Sequence, residues 1–277
     1  MPTERIIANK QIEVPRQRNI QTLLFDDYTA LSDFVGELCM LSRKPVITFS
    51  GTAYLSDESK AEPEDAAMLE GGVLSFRDLE RMCGDMGATL AHEGFRVASG
   101  NGARVGTPAV AKAYEEDRRS ARYYMRKKGV TRGSRWATTI FIDEDDLNIV
   151  RQRFIQASHV VTAMGGASNQ GSESGTVREA RMALEMGRPV ILFPQAGGDI
   201  QKCHGKLMTL MHSLIDPHVR QYVVSLNERI VKMDRQQVLA FVANGFLSCV
   251  RTLVRGGMIS PYTSYFDAAC MEADKVW

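Results

Sequence analysis

Arg151, Arg153 and Glu179 are the residues whose types and spacing could do chemistry in this 277-residue chain. An arginine fork is a natural partner for phosphate or carboxylate, and a carboxylate held beside it can accept a ribose hydroxyl or move a proton. Both arginines lie in "DLNIVRQRFIQAS" (146–158), which reads as a helix, and Glu179 opens another, "TVREARMALEMG" (176–187). Between the helices stand an apolar strand, "HVVTAMGG" (159–166), and a polar, glycine-containing insert ending at Ser174 and Gly175. A turn in such a unit needs about 2–6 residues, so the insert exceeds its structural role. Thr176 and Glu179 have the spacing of a capping box, a purely structural alternative for the carboxylate. Arg181 and Glu185, four apart, read as a surface pair.

Two more glycine turns accompany this one. "SGTA" (50–53) follows the strand "PVITFSGTA", and "SGNGARVG" (99–106) follows "FRVASGNG". In an open parallel sheet, ligands bind where such turns bring backbone N–H groups toward an anion at the carboxyl ends of strands. The expected contacts are Ser50, Gly51, Thr52, Ser99, Gly100, Gly102, Gly106, Arg151, Gly165, Gly166, Ser174, Gly175, Thr176 and Glu179. The glycine spacing of the second turn, GxGxxxG, is not that of a dinucleotide fingerprint. No GxSxG, HExxH or P-loop lysine motif occurs.

The elements that must position these groups alternate between strand and helix. Strands are expected at 45–53, from "FRVASGNG", and at 137–143, 159–166 and 189–198, with helices at 75–94, 107–129, 146–158 and 176–187. Thr107 and Pro108 read as N-cap and first residue of the second helix. The pattern predicts an α/β fold, an open parallel sheet with helices on both faces. Residues 1–44, with a helix over 26–42, form an amino-terminal helical extension or linker, 45–204 the binding core, and 205–277 a mainly helical addition packed on it. That addition includes a possible short strand "QYVVSL" and a long helix over 235–257.

Composition narrows the function classes. Lys plus Arg is 34 against 33 for Asp plus Glu, a net charge of +1 that offers no large footprint for nucleic acid or an anionic membrane. The basic run "RRSARYYMRKKGVTRGSR" (118–135) holds eight Lys or Arg and two tyrosines; it reads as a solvated helix end and loop, with nucleic-acid contact as the alternative. "YLSDESKAEPEDAAMLEGG" (54–72) reads as an acidic loop, passive or acting as a flap. Five scattered cysteines without a CxxC pair point to a reduced, cytoplasmic setting, and the five histidines lack metal-ligand spacing. No apolar stretch has the length of a membrane span, and neither metal nor cofactor is expected.

Together "ITFSGTA", "HEGFRVASGNGARVGTPAV", "VRQRFIQASHVVTAMGG" and "SGTVREARMALEMGRPVILFP" resemble the SLOG superfamily of Rossmann-like nucleotide-binding domains, over roughly residues 45–198. That superfamily includes the LOG phosphoribohydrolases, often labelled lysine decarboxylases, whose compact motif is PGGxGTxxE. Here Met164 replaces the proline, eight residues part Gly166 from Gly175, and the Glu survives as Glu179. The expanded insert is more similar to the ligand-sensing SLOG domain of Thoeris antiphage NADases. That resemblance implies a non-catalytic sensor of an ADP-ribose-type ligand, a cyclic ADP-ribose isomer, in bacterial antiphage defence. Arg151 would hold phosphate and Glu179 a ribose hydroxyl or base. It also implies a homo-oligomer and a fused or associated NADase or TIR effector; residues 1–44 are too short for a fused NADase, so the chain reads as the sensor half of a larger protein or as a free-standing sensor. The alternative is a LOG-like phosphoribohydrolase of nucleoside 5'-monophosphates, with Arg151 and Glu179 catalytic.

Overall fold

The structure is a computed structural model, which describes residues 11–16, 19–24, 44–51, 71–100, 105–126, 137–142, 145–167 and 173–259. Its centre is a sheet of six parallel strands: β3 (Val46–Ser50), β4 (Arg96–Gly100), β5 (Ala121–Arg126), β6 (Thr138–Ile142), β7 (Val160–Met164) and β8 (Val190–Phe193). They lie in the order β6-β5-β4-β3-β7-β8. The amino-terminal addition contains β1 (Gln11–Arg16) and β2 (Asn19–Leu24), an antiparallel hairpin whose second strand pairs with β6. The sequence reading did not foresee this hairpin, and the helix expected over 26–42 lies outside the described residues.

All residues of β3, β7 and β8 are buried, as strands covered on both faces must be, which is why they read as continuous apolar runs. The connections β3 to β4, β6 to β7 and β7 to β8 carry α1 (Phe76–His92), α3 (Leu147–Gln156) and α4 (Gly175–Glu185). α2 (Gly106–Glu116) joins β4 to β5 and packs closely on α1, where a side chain at Gly87 would overlap the Ala109 carbonyl. Four further helices follow β8: α5 (Gly198–Leu214), α6 (Pro217–Ile230), α7 (Arg235–Asn244) and α8 (Phe246–Ile259).

Several expectations are corrected. The helix expected over 107–129 ends at Glu116, and Ala121–Arg126 is strand β5, parallel to both β4 and β6. Arg122, Tyr123 and Tyr124 are buried there, with Tyr124 against Phe154 at 6.0 Å between ring centroids. The two tyrosines are therefore core residues, unable to stack on a base, and residues 127–136 lie outside the described part. "QYVVSL" belongs to α6. The long helix over 235–257 breaks at Gly245, with a 60° bend between its halves, and Phe241 and Phe246 from the two sides pack on Phe193 of β8. Among the described residues no single helix is long and apolar enough to cross a membrane.

Candidate functional site

Strand order reverses beside β3: the chain passes from β3 to β4 on one side and later returns to place β7 on the other. In an open α/β sheet that reversal leaves a crevice outside the carboxyl ends of the two strands, because their following loops diverge. Ser50 is the last residue of β3, paired in register with Ala163 of β7. Glu179 projects from the second turn of α4 and Arg151 from α3, so three separate elements converge on one point.

There the Ser50 hydroxyl donates to Glu179 Oε2 at 2.5 Å, and Arg151 Nε donates to Glu179 Oε1 at 3.1 Å. The Arg151 and Glu179 side chains are only 21% and 15% exposed, which makes the pair far less screened than a surface ion pair. Burial pushes the Glu179 carboxyl above its ordinary range; the Ser50 hydrogen bond and the Arg151 charge pull it part of the way back. Arg151 Nη1 also donates to Asn148 Oδ1 at 3.4 Å, and Arg178 Nη1 reaches the same oxygen at 2.8 Å.

The glycines divide into two kinds. A Cβ on Gly175 would stand 2.8 Å from Arg151 Nη2, so glycine lets the guanidinium lie against the first turn of α4. Gly165 and Gly166 have φ of 73° and 91°, a region that disfavours side chains. Their carbonyls accept from Ile200 and Asp199 N–H, both at 2.9 Å, and so satisfy the opening of α5. Gly51 and Gly106 instead mark close packing: a Cβ on Gly51 would stand 2.5 Å from Val105 Cβ, and one on Gly106 would overlap Ser99 Oγ. Gly100 has ordinary room beside Phe154.

Two caps differ from the expected ones. Ser174, not Thr176, is the N-cap of α4, its Oγ accepting from Val177 N–H at 3.4 Å. Thr176 is buried in the first turn, and Glu179 lies two residues past the capping-box position for Ser174, which leaves its carboxylate to Ser50 and Arg151. α2 starts at Gly106 behind Val105, which offers no side-chain cap, so Thr107 is inside the helix.

The structure thus brings together Ser50, Arg151, Gly175 and Glu179, with Gly166 beside Ser174 and Thr176. Ser99 is turned inward, its buried hydroxyl 2.9 Å from Phe49 O and 3.2 Å from Gly100 O, a tie between β3 and β4. Thr52 and Gly102 lie outside the described residues. Arg153 is half-buried near the end of α3. Asn148 and Arg178 are additions that sequence reasoning missed, although Asn148 stands three residues before Arg151, on the same helix face. Among the described residues no group of three His, Cys, Asp or Glu side chains is placed to hold a metal ion.

No protein-family model matches the chain, and no curated protein matches it. Solved structures do resemble it. TM1055 is 19% identical over 57% of this chain and 79% of its own, with a TM-score of 0.42. The molybdenum cofactor carrier protein of Chlamydomonas reinhardtii is 18% identical over 68% of this chain and 99% of its own, at 0.41. DNA processing protein A of Helicobacter pylori, described for its single-stranded DNA binding mode, is 13% identical over 83% and 94%, at 0.42. The chain's own parallel order β6-β5-β4-β3-β7-β8, reversing beside β3, makes the fold α/β and Rossmann-like.

Proposed function

We propose that this chain is a sensor of the SLOG type, which binds an ADP-ribose-type nucleotide, such as a cyclic ADP-ribose isomer, in the crevice between β3 and β7. The observation that carries this reading is the Ser50–Glu179–Arg151 constellation at the strand-order reversal. A carboxylate already fixed by two donors can accept a ribose hydroxyl without reorganising, and the remaining Arg151 N–H groups can face a phosphate. Ligand binding then shifts an oligomeric or domain-packing equilibrium, in antiphage defence, by favouring one state over another. An associated NADase or TIR effector fits that role.

A second reading has one observation in its favour. The raised affinity of Glu179 for its proton suits a general acid, as needed to cleave an N-glycosidic bond in a nucleoside 5'-monophosphate. Thermal-shift titration with ADP-ribose, its cyclic isomers, NAD and AMP, followed by chromatography of each incubated nucleotide, separates the two. Stabilisation by an ADP-ribose-type ligand without turnover is the expected result, since binding to the folded state raises apparent stability. Release of free base from AMP would establish the hydrolase instead.

A further inference from the structure

Beside the Glu179 constellation stands a second arginine whose position needs its own explanation. Arg178 directs Nη1 to Asn148 Oδ1 at 2.8 Å, and Arg151 directs Nη1 to the same oxygen at 3.4 Å. Two guanidinium groups therefore converge on one neutral amide oxygen. Their carboxylates are unequally shared. Glu179 holds Arg151 through Nε at 3.1 Å. Glu173 lies 3.1 Å from Arg181 Nη2 but 3.9 Å from Arg178 Nε, and Arg181 also has Glu185 at 3.6 Å. Among the described residues the closest oxygen to the Arg178 guanidinium is thus uncharged, and its side chain is 31% exposed.

We infer that Arg178 and Arg151, set around Asn148, form an anion fork that recognises the second phosphate of a diphosphate ligand. The fork deepens the nucleotide-sensor reading and rests on it for the rest of the ligand. Arg151 spans both sites: Nε fixes Glu179, and Nη1 faces Asn148 in the fork. One phosphate of the diphosphate sits at the crevice beside Arg151, and the next reaches Arg178. Asn148 acts as the spacer, holding the two planes apart through an acceptor that a phosphate oxygen can replace. Charge-assisted bonds from two guanidinium groups supply the discrimination: a diphosphate keeps its first phosphate at the crevice and still offers a second to Arg178, whereas the one phosphate of AMP is held at the crevice.

The test compares the full chain with Arg178→Gln and Arg178→Lys by thermal shift and isothermal titration against AMP, ADP-ribose and inorganic pyrophosphate. Arg178→Gln should weaken ADP-ribose and pyrophosphate about tenfold while leaving AMP unchanged, with Arg178→Lys in between because a point charge replaces the fork. Retained ADP-ribose affinity in Arg178→Gln would overturn the fork and leave the sensor reading standing. Pyrophosphate binding that depends on Arg178, without any ADP-ribose binding, would uphold the fork and overturn the nucleotide reading. Binding of neither ligand by the unaltered chain would overturn both. Circular dichroism of each variant confirms that loss of affinity is not loss of fold.

Discussion

At the scale of single residues, Glu179 has two consequences that can be measured separately. Replacing it by alanine removes the acceptor for Ser50 and Arg151 and should weaken ADP-ribose-type ligands by about tenfold to a hundredfold, read by titration calorimetry. The second consequence is a pH slope. Because burial raises the folded-state pKa above the ordinary 4.5, the folded chain holds this proton more tightly than the unfolded chain does. Between those two values its contribution to stability falls as pH rises. Glu179→Gln should flatten that slope in ligand-free urea unfolding followed from pH 4 to 8; parallel curves for variant and parent would show that Glu179 ionises normally. His159 illustrates the contrasting structural role. Its Nδ1 accepts from Val46 N–H at 3.0 Å, and burial, with Arg188 and Arg96 adding to it, holds its pKa down to about 3, so it stays neutral.

At the scale of elements, the carboxyl-terminal helices are joined to the core by Asp78. Its carboxylate receives Arg235 Nε and Nη2 at 2.7 and 2.8 Å while completing a capping box with Ser75 at the start of α1. The Arg235 hydrogen bond chiefly, with the Ser75 bonds against the opposing effect of burial, holds the Asp78 pKa down to about 2. This contribution to stability is complete above the ordinary 3.8 and is lost as pH falls toward 2. Arg235 is half exposed, so Asp78→Asn should cost about 1–2 kcal/mol at neutral pH by urea unfolding, and adding Arg235→Ala should cost less than it does in the parent chain.

Elements were legible where apolar periodicity was strong. The strands at 46–50, 96–100, 138–142, 160–164 and 190–193 all fall in segments whose runs of Val, Ile, Ala and Phe mark buried strands. β5 was hidden because "ARYYMR" carries arginine where a buried strand normally carries aliphatic residues, and the buried Arg122 directs Nη1 to Ala121 O and Thr138 Oγ1, partners no sequence pattern reveals. The site was legible in part for the same reason. Arg151 and Glu179 stand out by type, but the convergence of Arg178 on Asn148 depends on how α3 crosses α4.

At the scale of the whole molecule, one outer strand of the sheet is closed by a side chain. Asn227 of α6 is fully buried; its Oδ1 accepts from Leu192 N–H at 2.7 Å and its Nδ2 donates to Val190 O at 2.9 Å. The amide reproduces on β8 the hydrogen bonds that a further strand would make, which protects that edge from pairing with another chain. Asn227→Leu keeps the branched shape but leaves Leu192 N–H and Val190 O buried without these partners. It should cost about 2–4 kcal/mol in urea unfolding and increase light scattering on heating.

The sequence separation within the site sets an order of events during synthesis. Ser50 and Glu179 are 129 residues apart, and β3 must pair with β7 before they meet. At about 5–20 residues per second, a ribosome needs on the order of ten seconds to deliver the second half after the first. Until β7 is made, β3 has at most β4 beside it, and its other edge stays available for wrong partners. A nascent chain therefore passes through a vulnerable interval that ligand cannot shorten, because the binding groups arrive last.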